Sequence, residues 1–306
     1  MNFACPHCHT PLQATSTHEL TCPQDGLTFG QTDSIWRFLL PDRASLYTRF
    51  ILDYETVRRS EKRGTPEEVS FYRTLPYIAT PDWKIRARSF DTFLRHVLEP
   101  HEQINRGLKS ALRLQVLDLG AGNGWLSNRL AARGHDVTAI DLTINNFDGL
   151  GCFAHYETSF TPAQAEFDYL PFADHAIDMV IFNASLHYST NYETTLRESL
   201  RVLKSDGKLV ILDSPVYHDP SSGEQMVRER QSQFMLQYGF ASDSLPSENY
   251  LTHARLAKLA QSLHLSWTLH TPFYNLKWAL RPLVAKLLGR REPARFHVIV
   301  GSVAQQ

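Results

Sequence analysis

The sequence predicts an α/β fold preceded by a small cysteine-bearing knuckle. Three observations carry that expectation. After Leu112, short apolar runs alternate with helical patterns. A glycine-rich turn, Gly120-Ala121-Gly122-Asn123-Gly124, follows the first of those runs. Cys5, Cys8 and Cys22 crowd the N-terminus, while Cys152 stands alone.

The chain divides into three segments. Residues 1–40 lack helical periodicity and are rich in turn formers. Residues 41–111 read as a helical cover or linker, with breaks at Gly64-Thr65-Pro66, Leu75-Pro76 and Thr80-Pro81. Within them, Leu46, Phe50 and Val57 recur at helical spacing over 44–63, and Ile85, Phe90, Phe93 and Leu94 do so over 82–96. Residues 112–306 form the α/β domain. Gln115–Leu119 is its first strand, and a helix runs from the glycine turn to about Arg133. Val137–Ile140, Ile177–Phe182 and Lys208–Leu212 are further strands, and Tyr192–Leu203 and Asn249–Leu263 are helices. Trp267–His270 and Phe296–Val300 form a closing strand pair.

At 306 residues, 42% hydrophobic and 21% charged, the chain has the composition of a globular protein able to bury a core. A formal charge of -1 argues against general nucleic-acid affinity, which needs Lys and Arg to displace counterions. No charged and apolar start marks a signal peptide, and no apolar run is long enough to span a bilayer. The expectation is a cytoplasmic protein, in which cysteines at Cys-x-x-Cys spacing bind metal sooner than they form disulfides.

The chemistry concentrates in Val116-Leu117-Asp118-Leu119-Gly120-Ala121-Gly122-Asn123-Gly124-Trp125. A dinucleotide loop, G-x-G-x-x-G, needs glycine where Trp125 stands. The carboxylate of Asp118 ahead of the loop repels a pyrophosphate and suits an ammonium group. Asp141 ends the next strand, where an acid can accept ribose hydroxyls. Glu166-Phe167-Asp168 before Leu170-Pro171-Phe172, the strand ending at Asn183, and Arg201-Val202-Leu203-Lys204 complete the ordered set. This set resembles the class I S-adenosylmethionine-dependent methyltransferases, above all the subfamily built on D-x-G-x-G-x-G, LPF and RVLKPGG motifs, over residues 112–215. The resemblance implies a Rossmann-like, seven-stranded, doubly wound sheet that binds S-adenosyl-L-methionine. It implies that Asp118, Gly120 and Gly122 hold the methionine end, Asp141 the ribose, and Glu166 and Phe167 the adenine edge. Leu142 and Asn183 complete the candidate cofactor set.

The N-terminal knuckle resembles a degenerate zinc ribbon, similar to those of bacterial ribbon-methyltransferase fusions. Cys5, Cys8, Cys22 and Asp25 are its candidate ligands for a structural zinc, with Asp25 standing where a fourth thiolate would be. Methyl transfer needs a general base only for an acceptor bearing a proton of high pKa. His187, with Tyr188 beside it, is the best-placed candidate. The Asn183-Ala184-Ser185-Leu186 stretch lacks the prolines of amino-directed nucleic-acid methylases. A small or lipid-like methyl acceptor is therefore the leading expectation. An RNA methyltransferase guided by the ribbon comes second, and a noncatalytic cofactor-binding scaffold third. Residues 277–291 are basic and apolar together and suggest peripheral membrane contact.

Overall fold

A computed structural model describes residues 2–64, 69–106 and 113–303. The Thr65-Pro66 break and the domain start at Leu112 lie outside these residues. Strands β1 (Gln13–Ser16), β2 (Glu19–Thr21), β3 (Thr28–Thr32) and β4 (Ile35–Arg37) come first. Helices α1 (Pro41–Ser60), α2 (Val69–Thr74), α3 (Pro81–Phe93) and α4 (Glu99–Arg106) follow, α3 passing into a π-turn at Leu94–Leu98. Next come β5 (Gln115–Leu119), α5 (Trp125–Ala132), β6 (Asp136–Asp141), β7 (Thr161–Gln164) and β8 (Ile177–Asn183). After them run α6 (Tyr192–Val202), β9 (Leu203–Leu212), β10 (Val216–Tyr217), α7 (Pro220–Tyr238) and β11 (Leu251–Thr252). The chain closes with α8 (His253–Leu263), β12 (Leu265–His270), α9 (Leu276–Ala279), α10 (Arg281–Leu287) and β13 (Val298–Val303).

These elements form two units. The first comprises Met1–Leu75, Arg113–Asn183 and Thr194–Leu209; the second comprises Pro76–Leu112, Ala184–Glu193 and Val210–Gln306. The segment read as a cover, 41–111, is divided between them, and 112–306 contributes to both.

In the first unit the strand order is β1-β2-β3-β4-β7-β6-β5-β8. β5 pairs in parallel with β6 (Val116↔Val137) and with β8 (Val116↔Met179), and β6 pairs in parallel with β7. Val116, Leu117 and Leu119 are fully buried, as are Met179 through Phe182. A parallel strand covered on both faces reads as such an unbroken apolar run. The knuckle's strands continue into this sheet. β1 to β4 form an antiparallel meander, and β4 joins β7 in parallel through Trp36↔Ala163. The Ala4 amide donates to the Pro171 carbonyl at 3.0 Å, and the Phe3 ring lies 5.5 Å from that of Phe172. Burying Phe29, Ile35 and Phe38 against the sheet supplies a core that forty residues could not supply alone.

In the second unit β12 and β13 pair antiparallel with Trp267 opposite Gly301, so the expected closing pair is present with β13 reaching on to Val303. α8 begins at His253, four residues later than its periodicity suggests, because Leu251-Thr252 instead pairs with β10. Thr252 then caps the helix, its Oγ1 accepting from the Arg255 amide at 3.0 Å.

The motif residues Arg201 and Lys204, together with Asp178 near the start of β8, hold the scaffold. Asp178 accepts from the Gln115 amide at 2.8 Å and from Lys204 Nζ at 2.7 Å, tying the starts of β5 and β8 to the start of β9. The largely buried Arg201 guanidinium donates to the carbonyls of Phe172 (2.8 Å) and Leu170 (3.3 Å), to Asp174, and in bidentate fashion to Glu198. Removing it leaves the Glu198 carboxylate and two carbonyls short of donors. Arg201→Ala is therefore expected to cost about 2–4 kcal/mol in urea unfolding. Asp174→Ala, on the exposed partner of the same guanidinium, is expected to cost less than about 1 kcal/mol. Equal losses for the two would remove the network from this role.

Candidate cofactor site

The glycine loop is held by hydrogen bonds to the strand that follows it in the chain. The amides of Gly120 and Ala121 both donate to the Ile140 carbonyl, at 2.8 and 2.9 Å. The Gly122 amide donates to Asp141 Oδ2 at 2.8 Å. Gly120, Gly122 and Gly124 all have positive φ, of 75°, 55° and 76°, where a side chain would be strained. At Gly124 a Cβ would also meet the Phe160 ring at 2.7 Å. α5 begins directly after it, and the Trp125 indole is buried in the core.

Asp118 is fully buried at the carboxyl end of β5. Its Oδ2 accepts from Ser127 Oγ at 2.7 Å, while its Oδ1 is buried with no hydrogen-bond partner. Burial pushes its carboxyl up to about 7 and the nearby Asp141 charge adds to the rise, against the pull of Ser127. Asn183 ends β8, the strand paired with β5, and its Oδ1 is likewise buried and unpartnered. Two unsatisfied oxygens at adjacent strand ends, beside a loop of bare backbone, fit a ligand that brings cationic and N–H donors. The amino group of a methionine moiety is such a donor, so the residues present fit S-adenosylmethionine.

Asp141 is already engaged. Its Oδ1 accepts from the amide (2.8 Å) and hydroxyl (2.7 Å) of Thr143 while its Oδ2 holds Gly122, so it organises the loops on both sides. Burial still raises its carboxyl above the ordinary range. Leu142 lends its carbonyl to Gln164 Nε2 at 2.9 Å, and the Phe167 ring sits edge-on to Phe182 at 5.4 Å. Glu166, expected at the adenine edge, is gripped by residues that sequence reasoning missed. Arg43 donates from Nε to Oε1 at 2.8 Å and from Nη2 to Oε2 at 2.6 Å, and the Tyr47 hydroxyl donates to Oε2 at 2.5 Å. Arg43 also lies over the Tyr169 ring.

α1 continues along the loops that follow β6. Glu55 accepts from Asn145 Nδ2 at 2.9 Å, and Arg58 pairs with Asp148 at 3.3 Å. Asp148 in turn accepts from Asn123 of the glycine loop at 3.4 Å. Tyr54 lies under the Arg58 guanidinium, and the buried Tyr72 hydroxyl donates to the Phe147 carbonyl at 2.8 Å. α1 and α2 thus bring Tyr54, Arg58 and Tyr72 to the loops that follow β6.

The second unit carries the other candidates. His187 is buried with Nδ1 at 3.3 Å from Ser214 Oγ, and its ring lies 4.5 Å from Tyr188. Next to Ser214, Asp213 is buried in a left-handed conformation, φ 50°, and accepts from Ser89 Oγ at 2.5 Å. Ser89 also meets the Tyr274 hydroxyl at 3.0 Å. Burial raises the Asp213 carboxyl and the Arg86 charge opposes it. Asp213 was not singled out in the sequence, though it carries the same signal as Asp118 and Asp141, an acid at a strand's carboxyl end.

In the knuckle, the ligand atoms of Cys5, Cys8, Cys22 and Asp25 all lie within 4.8 Å of one another. Cys8 Sγ is 3.5 Å from Cys22 Sγ, and Cys5 Sγ is 3.2 Å from Asp25 Oδ2. Tetrahedral zinc holds its thiolates about 3.8 Å apart, so this donor set fits the metal. Burial pushes the Cys5 thiol up to about 12, against the pull of the Cys8 and His7 amides, and a bound dication reverses such a shift. His7 Nδ1 lies 3.0 Å from Asp25 Oδ2 and steadies that carboxylate.

The Asp118 shift has a definite sign. Its folded carboxyl binds a proton more tightly than the unfolded one, so its contribution to stability is fullest below about pH 4 and is lost as pH rises to about 7. Asp141 and Asp213 shift in the same direction. Calorimetric melting between pH 5 and 8 is expected to show falling stability, less steep in Asp118→Asn. An unchanged slope in that variant would show that Asp118 titrates normally.

Comparison with known proteins agrees with this geometry. Residues 117–211 match the family described as a methyltransferase domain. The malonyl-[acyl-carrier protein] O-methyltransferase of Erwinia pyrifoliae is 29% identical over 124 residues, 40% of this chain and 46% of that protein. The demethylmenaquinone methyltransferase of Renibacterium salmoninarum is 34% identical over 99 residues, 32% of this chain and 40% of that protein. The chain thus spans less than half the length of these relatives. The CurJ carbon methyltransferase superposes with a TM-score of 0.50 at 15% identity, covering 78% of this chain and 59% of that one, and it shares the fold. Fold, glycine loop and matched segment converge: residues 117–211 carry the match to a methyltransferase domain, within an α/β fold shared with a solved methyltransferase.

Proposed function

We propose that the chain methylates a small or lipid-like acceptor with S-adenosylmethionine. The observation that carries this reading is the buried, unpartnered Asp118 Oδ1 beside the glycine loop, with Asn183 Oδ1 on the adjoining strand. In this reading Asp118 takes the ammonium group of the cofactor, the amides of the glycine loop face its carboxylate end, and Asp141 takes the ribose. Phe167 lies at the adenine edge, and Glu166 acts through Arg43 and Tyr47 to set the wall of that pocket. The bound cofactor supplies an already activated methyl group, so the protein's task is to hold the acceptor in line and keep water out. His187 is the group that would take a proton from an acceptor of high pKa. Relatives named for malonyl-[acyl-carrier protein] and demethylmenaquinone support an acceptor outside the nucleic acids, as does the net charge of -1.

Titration calorimetry tests this reading. S-Adenosylmethionine is expected to bind and NAD to give no heat. Asp141→Ala is expected to weaken binding by about 1–3 kcal/mol through lost buried hydrogen bonds. Unchanged affinity in the folded variant would remove Asp141 from the site.

We further propose that Cys5, Cys8, Cys22 and Asp25 hold one structural zinc, a closed site with no position for water. Elemental analysis of protein prepared without chelator is expected to find zinc near one per chain, lost in Cys22→Ser. A metal-free native chain would leave the knuckle folding by its apolar core alone.

A further inference from the structure

The second unit carries a surface that the methyl-transfer reading does not use. Along α9, α10 and their flanks, the apolar side chains face solvent. Phe273 is 68% exposed, Leu276 74% and Leu287 76%, with Leu280, Leu283 and Val284 about half exposed. Positions 276, 280, 283 and 287 fall at spacings of four, three and four, which place them on one face where the backbone is helical. Leaving such a stripe in water is unfavourable, and a contiguous patch of this kind marks a binding surface.

The charge around it identifies the partner. Residues 271–291 contain Lys277, Arg281, Lys286, Arg290 and Arg291 and no acidic residue. Arg291 is paired with Glu229, whereas Lys277, Lys286 and Arg290 have no ion pair among the described residues. Beside the stripe lies a cavity of about 260 Å³ whose lining includes Tyr274, Trp278, Arg281 and Phe296. The Arg281 guanidinium stacks 3.7 Å from the centre of the Trp278 ring, and its Nη1 is buried without a hydrogen-bond partner. An apolar stripe, a basic border and aromatic rings at its root match the layers of an anionic membrane surface.

We propose that residues 273–290 dock the protein onto anionic bilayers, with Leu276, Leu283 and Leu287 entering the acyl boundary and Lys277, Lys286 and Arg290 meeting headgroups. Among the described residues no helix is long and apolar enough to cross a membrane, so the contact is peripheral. Vesicle co-sedimentation of the full chain tests the proposal and needs no methyl-transfer activity. The protein is expected to pellet with phosphatidylcholine vesicles containing phosphatidylglycerol about tenfold more than with phosphatidylcholine alone, and to be released by salt. Leu283→Asp with Leu287→Asp, both at exposed positions, is expected to abolish pelleting with an unchanged melting temperature. Lys277→Gln with Lys286→Gln is expected to abolish the preference for phosphatidylglycerol. Absence of pelleting by the native chain would overturn the proposal. So would a native dimer that the leucine variants convert to monomer without any vesicle binding, since a second copy would then cover the stripe.

Discussion

The Asp141 carboxylate is the constraint on which the cofactor region depends. One oxygen fixes Gly122, and the other fixes Thr143 at the start of the next loop. Glycines at positive φ give the loop its shape but leave it with more freedom to lose on folding. Two hydrogen bonds to the Ile140 carbonyl and one to Asp141 anchor it to β6, leaving Asp118 at its root beneath a defined backbone. The cost is a set of acids held in a poorly solvated place. Burial raises both Asp118 and Asp141, so each holds its proton more tightly than an exposed acid. Under the proposed reading, the ammonium group of the cofactor would favour their charged forms.

Much of this architecture was legible in the sequence, and the reasons are local. β5, β6 and β8 are apolar runs ended by turn chemistry, and α5 follows a glycine at the position a left-handed cap requires. Other elements were hidden. β7 contains Pro162, which argues against a strand, yet it pairs with β6 through Pro162↔Ala139. α7 buries only Ser222 and Gly223, so it has no apolar stripe from which a helical period could be read. The knuckle's union with the sheet rests on β4 and β7, whose pairing no spacing in the sequence encodes.

The site divides in the same way. Asp118 and Asp141 announce themselves because one precedes the glycine turn and the other ends the next strand. Arg43 and Tyr47 do not, since they meet Glu166 across 123 and 119 residues and carry no motif of their own. Arg201 and Lys204 show the converse, motif residues whose contacts, with Asp178, hold the scaffold together. A motif marks where substitution is intolerable, and burial of a charge explains that as well as chemistry does.

α1 measures a distance as well as covering a loop. Arg43, Tyr47, Tyr54 and Arg58 follow at intervals of four, seven and four, which puts them on a single line along the helix. The first two grip Glu166, and the last reaches Asp148 roughly 22 Å further along the axis. Helix geometry therefore couples the two grips as a phase. One residue inserted between Tyr47 and Tyr54 turns the far end by about 100° and lengthens it by only about 1.5 Å, so both contacts cannot be kept. The segment can vary in composition on its outer faces while its length between the two contacts stays fixed, as the bolt spacing of a hinge is fixed whatever the plate is made of.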